Sequence, residues 1–114
     1  LPFCSYYLTG FLNEKPLARL RNDMVPLGIE RNPESVEPED HAGALLDMMA
    51  GLIDGGFGTM QPIEVQKEFF EKHINNWMPH FFKDLQKAEG ATVFRPIGRV
   101  GELFLEIEDD AFAM

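Results

Sequence analysis

Cysteine is nearly absent from this sequence. Cys4 stands alone, so no internal disulfide can staple the fold, and a reducing compartment suits the chain. Without a second cysteine or a nearby histidine, nothing marks Cys4 as a reactive thiol, and a plain small-residue role is expected. Long apolar runs are missing as well: none approaches the roughly 20 residues that a bilayer-spanning helix needs, so no stable membrane insertion is expected. Positive charge is scarce, with ten basic residues against nineteen acidic ones and a net charge of −9. Such a surface repels nucleic-acid phosphate and anionic lipid and attracts cationic partners. Nucleic acid is excluded on this ground, while a basic peptide fits; the same charge also serves plain solubility. Catalytic signatures are lacking too. There is no nucleophile elbow and no Ser-His-Asp arrangement, and Gly55-Gly56-Phe57-Gly58 has neither the strand context nor the lysine of a phosphate loop. The chain reads as a non-enzyme without a cofactor of its own.

What is present is bulk. Apolar residues make up 45% of the chain and charged ones 25%, with ten Phe, six Met and one Trp, the composition of a packed globular domain. The periodicity predicts an all-α fold of about five helices and no strand pair. Phe3 to Phe11 is an aromatic lead-in, extended or briefly helical. Asn13 reads as an N-cap, with Pro16 in the first turn and Leu17, Leu20, Met24 and Leu27 as one apolar stripe ending at Gly28. After a polar loop, Pro38 opens a second helix with Glu39 and Asp40 in its first turn, where the helix dipole favours carboxylates. Leu45, Met48, Met49, Leu52 and Ile53 mark its buried face, and Gly55-Gly56 stop it. A third helix from about Pro62 carries Val65, Phe69, Phe70, His73, Ile74 and Trp77. A fourth covers about His80 to Ala88, with Phe81, Phe82 and Leu85 inward, and ends at Gly90. The last runs from about Thr92 to Glu108 with Phe94, Ile97, Val100, Leu103, Phe104 and Ile107 apolar; Pro96, Gly98 and Gly101 predict a late start or a kink. Short links between amphipathic helices predict antiparallel, bundle-like packing.

Two constellations stand out. Glu37-Pro38-Glu39-Asp40-His41 places acids and an imidazole in an exposed first turn, suited to grip a cationic or hydrogen-bonding peptide group. Helix capping is the simpler account of the same residues. His73 and Trp77 lie four apart on one helix face. With His41 and His80, His73 makes a helical metal-binding protein the alternative from another class, although the His-Glu-x-x-His spacing is absent. A hydrogen-bonded His73 and a core or groove Trp77 are expected instead. Met48-Met49, Phe69-Phe70 and Phe81-Phe82 serve a core first, or an adaptable groove for apolar peptide segments.

These strings also resemble a known family. Glu37-Pro38-Glu39-Asp40-His41 followed by Leu45, Met48-Met49 and Leu52 resembles the Pro-x-Asp-His signature of the TorD/DmsD/NarJ redox-enzyme maturation chaperones. Phe69-Phe70-x-x-His73-x-x-x-Trp77-x-Pro79-x-Phe81 resembles the second signature of that family. Ser5-Tyr6-Tyr7-Leu8-Thr9-Gly10 and Phe104-Leu105-x-x-Glu108 resemble its middle segment and closing helix. The resemblance implies that residues 1–114 form the C-terminal part of a single all-helical chaperone domain, with the N-terminal helices absent. It implies a cytoplasmic chaperone that binds a molybdoenzyme precursor and its twin-arginine signal peptide before export. Asp40 and His41 carry over as peptide-binding residues, and Glu37, Pro38 and Trp77 by motif position. A NarJ-like nitrate reductase assembly chaperone is the near alternative. A homodimer formed by helix exchange is a further expectation of the resemblance.

Overall fold

The computed structural model describes residues 1–31, 33–34, 36–87 and 94–113, with the side chains of 94–96 excepted. Among these lie six helices: α1 (Cys4–Thr9), α2 (Lys15–Met24), α3 (Ala42–Asp54), α4 (Ile63–His73), α5 (Met78–Lys87) and α6 (Phe94–Ala113). The described residues contain no strand, only an isolated antiparallel bridge between Phe3 and His41. The all-α expectation stands, and the aromatic lead-in supplies the sixth helix. The predicted ends at Ala88 and Gly90 and the start at Thr92 lie outside the described residues.

The α2 stripe forms as its spacing predicts. Leu17, Leu20 and Met24 are buried together with Leu45, Met48, Met49 and Leu52 of α3, Phe69 and Phe70 of α4, and Ile74, Trp77 and Met78 at the α4–α5 turn. Each large side chain of this kind contributes about 1.5–3 kcal/mol through burial, which is why short helices without strong caps hold. Gly28 closes the α2 segment with φ +74°: its N–H donates to Val25 O, and the N–H of Ile29 donates to Met24 O, as in a Schellman motif.

Several expectations are corrected. Asn13 is not the N-cap of α2; Glu14 holds that place, and Asn13 takes a left-handed turn conformation (φ 56°) that asparagine tolerates better than most residues. The second predicted helix begins at Ala42 rather than at Pro38, because residues 38–41 form a turn in which the N–H of His41 donates to Pro38 O. Ile53 lies outside the core, 43% exposed. The fourth helix starts at Met78, with Pro79 in its first turn.

The largest correction concerns α6. The expected kink does not occur: the helix runs unbroken from Phe94 to Ala113 with Pro96 in its first turn, where a missing N–H costs little, and the expected late start after Thr92 is left standing. Gly98 and Gly101 are contact points rather than weak spots. A Cβ on Gly98 would stand 2.6 Å from Phe82 O, and one on Gly101 would collide with the Phe82 ring. The two glycines thus let α6 lie close along α5 in the antiparallel sense, with Glu102 meeting Gln86 and Lys83, and Asn75 meeting Asp109. That contact buries Leu105 and turns the predicted apolar face outward: Ile97, Val100, Leu103, Phe104 and Ile107 are all exposed.

Candidate functional site

The entry of α3 is fixed by α1. The Cys4 N–H donates to Asp40 O (3.0 Å), the Ala42 N–H donates to Pro2 O (2.8 Å), and the Ser5 N–H donates to Asp40 Oδ2 (2.7 Å). Asp40 therefore caps the N-terminus of α1 from a distant part of the chain, and its side chain is buried rather than displayed on an exposed first turn. Its Oδ1 finds no hydrogen-bond partner among the described residues. Burial, and then the nearby Asp40 carboxylate, push the Cys4 thiol up to about 12 against the opposing pull of Arg19, so Cys4 stays protonated and inert near neutral pH.

His41 is the N-cap of α3. Its Nδ1 accepts from the Gly43 N–H (3.0 Å), which leaves Nε2 to carry the proton of the neutral ring. The ring stands edge-on to Phe3 at 5.0 Å, and Nε2 lies 3.9 Å from Glu37 Oε2, too far for a direct hydrogen bond. Glu39 is buried and held by two guanidiniums. Arg21 binds it through Nε to Oε2 (2.6 Å) and Nη2 to Oε1 (3.0 Å), while Arg31 Nε stands 3.3 Å from Oε1. The Arg21 hydrogen bonds hold the Glu39 carboxyl below the usual carboxylate range, more than its burial raises it.

These residues wall a groove of about 470 Å³. Its floor is Met24, Ile29, Met48 and Phe57, and its walls are Glu30, Arg31, Glu37, Pro38, Glu39, His41, Gly43, Ala44 and Asp47. Four carboxylates against one arginine line an apolar base, so the groove suits a cationic group attached to an apolar segment. Phe57 reaches the floor because Gly51 is bare; a Cβ there would collide with the Phe57 ring.

Of the five sequence-predicted site residues, the structure brings Glu37, Pro38 and His41 together on this groove. Asp40 lies behind them as the link to α1. Trp77 does not line the groove: it is fully buried, donates Nε1–H to His73 O (2.8 Å), and packs on Tyr7 and Phe81. Sequence reasoning missed Glu39 as a held carboxylate, and missed Met24, Ile29 and Phe57 as the floor. Met24 and Ile29 carry an apolar signal, but no spacing rule joins Glu39 to Arg21 or to Phe57.

The three histidines stand apart. His41 caps α3, His80 is exposed, and His73 is buried with Nε2 2.7 Å from Asp23 Oδ2. Among the described residues no group of three or more His, Cys, Asp or Glu is placed to hold a metal ion. No described helix is long and apolar enough to cross a membrane.

Comparison with known proteins gives consistent relatives. The family model described as nitrate reductase delta subunit matches residues 1–83. The chaperone protein TorD of Aggregatibacter aphrophilus (strain NJ8700) is 30% identical over 114 residues, covering 100% of this chain and 52% of its own length. The proteins of the same name from Vibrio cholerae serotype O1 (strain ATCC 39315) and Actinobacillus pleuropneumoniae serotype 3 are 26% and 28% identical, covering 93% and 85% of this chain and 51% and 47% of their own lengths. The chain thus spans about half the length of the curated relatives it matches. No solved structure matches it.

Proposed function

Because the chain belongs to the nitrate reductase delta subunit family, we propose that it acts as a maturation chaperone for a molybdenum-cofactor oxidoreductase. It holds the apo-enzyme or its twin-arginine leader in the cytoplasm before export. The matching relatives bear the name of chaperones, and the reading brings that role to this chain. The observation that carries it is the groove at the α3 entry, with carboxylates on its walls and Met24, Met48 and Phe57 on its floor. A twin-arginine leader offers the complement: adjacent guanidiniums followed by an apolar stretch. The acids attract the guanidiniums and bind them by charge-assisted hydrogen bonds at contact, and the Met and Phe side chains adapt to the apolar part. Glu37, Pro38 and His41 are the contact residues of this proposal. Asp40 acts by holding the α3 entry against α1, and Trp77 acts through the core.

The family's description, nitrate reductase delta subunit, motivates a second reading in which the client is a nitrate reductase in assembly and no leader is bound. Titration calorimetry separates the two. Under the leader reading, a peptide with two adjacent arginines binds, a Lys-Lys control binds more weakly, and added salt weakens both. Absence of binding to either peptide at any salt concentration contradicts leader recognition.

We further propose a homodimer formed by helix exchange, supported by the outward apolar face of α6. A second copy that covers Ile97, Val100, Phe104 and Ile107 removes from water a patch that soluble proteins seldom leave open.

A further inference from the structure

Glu39 has no assigned role in the groove, yet it is the wall residue whose chemistry is already displayed. Its buried carboxylate takes two guanidiniums, Arg21 at both oxygens and Arg31 at Oε1. Arg21 makes the forked pair and is not part of the groove's lining. Arg31 lines the groove itself, its side chain half exposed, with Nε 3.3 Å from Oε1. The groove therefore presents a guanidinium position, already filled by the protein's own arginine.

We propose that Glu39 is the residue of this groove that takes a ligand's guanidinium, and that Arg31 fills that position until a ligand arginine displaces it. The inference rests on the leader-binding reading above and deepens it to one acceptor. Displacement is cheap in both directions. Arg21 stays on Glu39, so the buried carboxylate is never left without a partner, which is the costly case. Arg31 is itself half exposed, so on leaving Glu39 its guanidinium returns to water with little change in solvation. Arg21 already forks across both oxygens and fixes the carboxylate's orientation, so a ligand guanidinium takes the Arg31 place at Oε1. A lysine ammonium is more strongly hydrated than a guanidinium and costs more to bring against a buried carboxylate, so Glu39 accounts for discrimination between paired arginines and paired lysines.

The test is calorimetry on the full chain carrying Arg31→Gln, with an Arg-Arg leader peptide and its Lys-Lys counterpart. Removal of the internal competitor tightens the Arg-Arg peptide by roughly two- to fivefold, the range open to an ion pair with one half-exposed partner, and leaves the Lys-Lys peptide nearly unchanged. Equal tightening of both peptides assigns the effect to charge alone and overturns the inference. Unchanged or weaker Arg-Arg binding also overturns it, while leaving leader recognition in place. If neither the wild type nor the variant binds either peptide, the leader reading falls and this inference falls with it. Glu39→Gln, checked for folding by thermal melting, gives the converse result: a loss of at least tenfold for Arg-Arg that shrinks the preference over Lys-Lys. Retention of that preference in a folded Glu39→Gln protein overturns the assignment.

Discussion

Asp40 offers two roles to one side chain and fills one of them. Its carboxylate sits next to a histidine in a string that reads as a peptide grip, while its oxygen caps the distant α1 at Ser5. The second role leaves the first no room, since the side chain is buried. Asp40→Ala is therefore expected to lower stability by about 1–2 kcal/mol in urea melts, the usual cost of a lost helix cap. His41→Ala, which removes the α3 cap at Gly43, is expected to weaken peptide binding as well as to lower stability. Equal stability of wild type and Asp40→Ala contradicts the cap. His73 makes a different prediction. Burial pushes its imidazole down, more than the Asp23 carboxylate pulls it up; Lys72 adds to the downward push and Glu68 opposes it. A histidine whose folded pKa lies below its unfolded value of about 6.5 stabilises the fold above that pH, and the contribution is lost as pH falls through the folded value. Melting points are expected to fall between pH 7 and 5, and His73→Gln is expected to flatten that slope. A melting point that rises on acidification over this range contradicts the assignment.

At the scale of the element, α5 and α6 decide the shape of the C-terminal part. Gly101→Ala would gain up to about 1 kcal/mol from helix propensity alone. Overpacking against the Phe82 ring costs about 1–3 kcal/mol and decides the sign. A lower melting temperature for Gly101→Ala is expected, with relief by Phe82→Leu on the same chain; a stabilised Gly101→Ala contradicts close α5–α6 contact. The same pair marks the limit of sequence reading. The periodicity of Ile97, Val100, Phe104 and Ile107 correctly places them on one face, but period alone does not say which face meets a neighbour. Bare positions at Gly98 and Gly101 set that choice, and glycine reads locally as a breaker. Where apolar stripe and contact face coincide, as at Leu17, Leu20 and Met24, the helix was legible with its capping glycine. The groove was legible in part. Glu37, Pro38 and His41 are contiguous in sequence, whereas Glu39–Arg21 and Gly51–Phe57 depend on tertiary approach.

For the whole molecule, an acidic surface coexists with a largely exposed apolar face on α6. Repulsion between copies at net charge −9 opposes association at low salt, and burial of that face favours it. Sedimentation at micromolar concentration is expected to find a dimer that strengthens with salt; a folded monomer at all salt concentrations contradicts helix exchange. Peptide recognition concerns a different surface, the α3 entry, and its location is the central claim. It is tested most directly by amide chemical-shift mapping of the chain with an Arg-Arg leader peptide. Shifts are expected to concentrate at Ile29 to Arg31, Glu37 to His41, Gly43 to Met48 and Phe57. Shifts confined to α6, with the groove amides unmoved, would contradict the account.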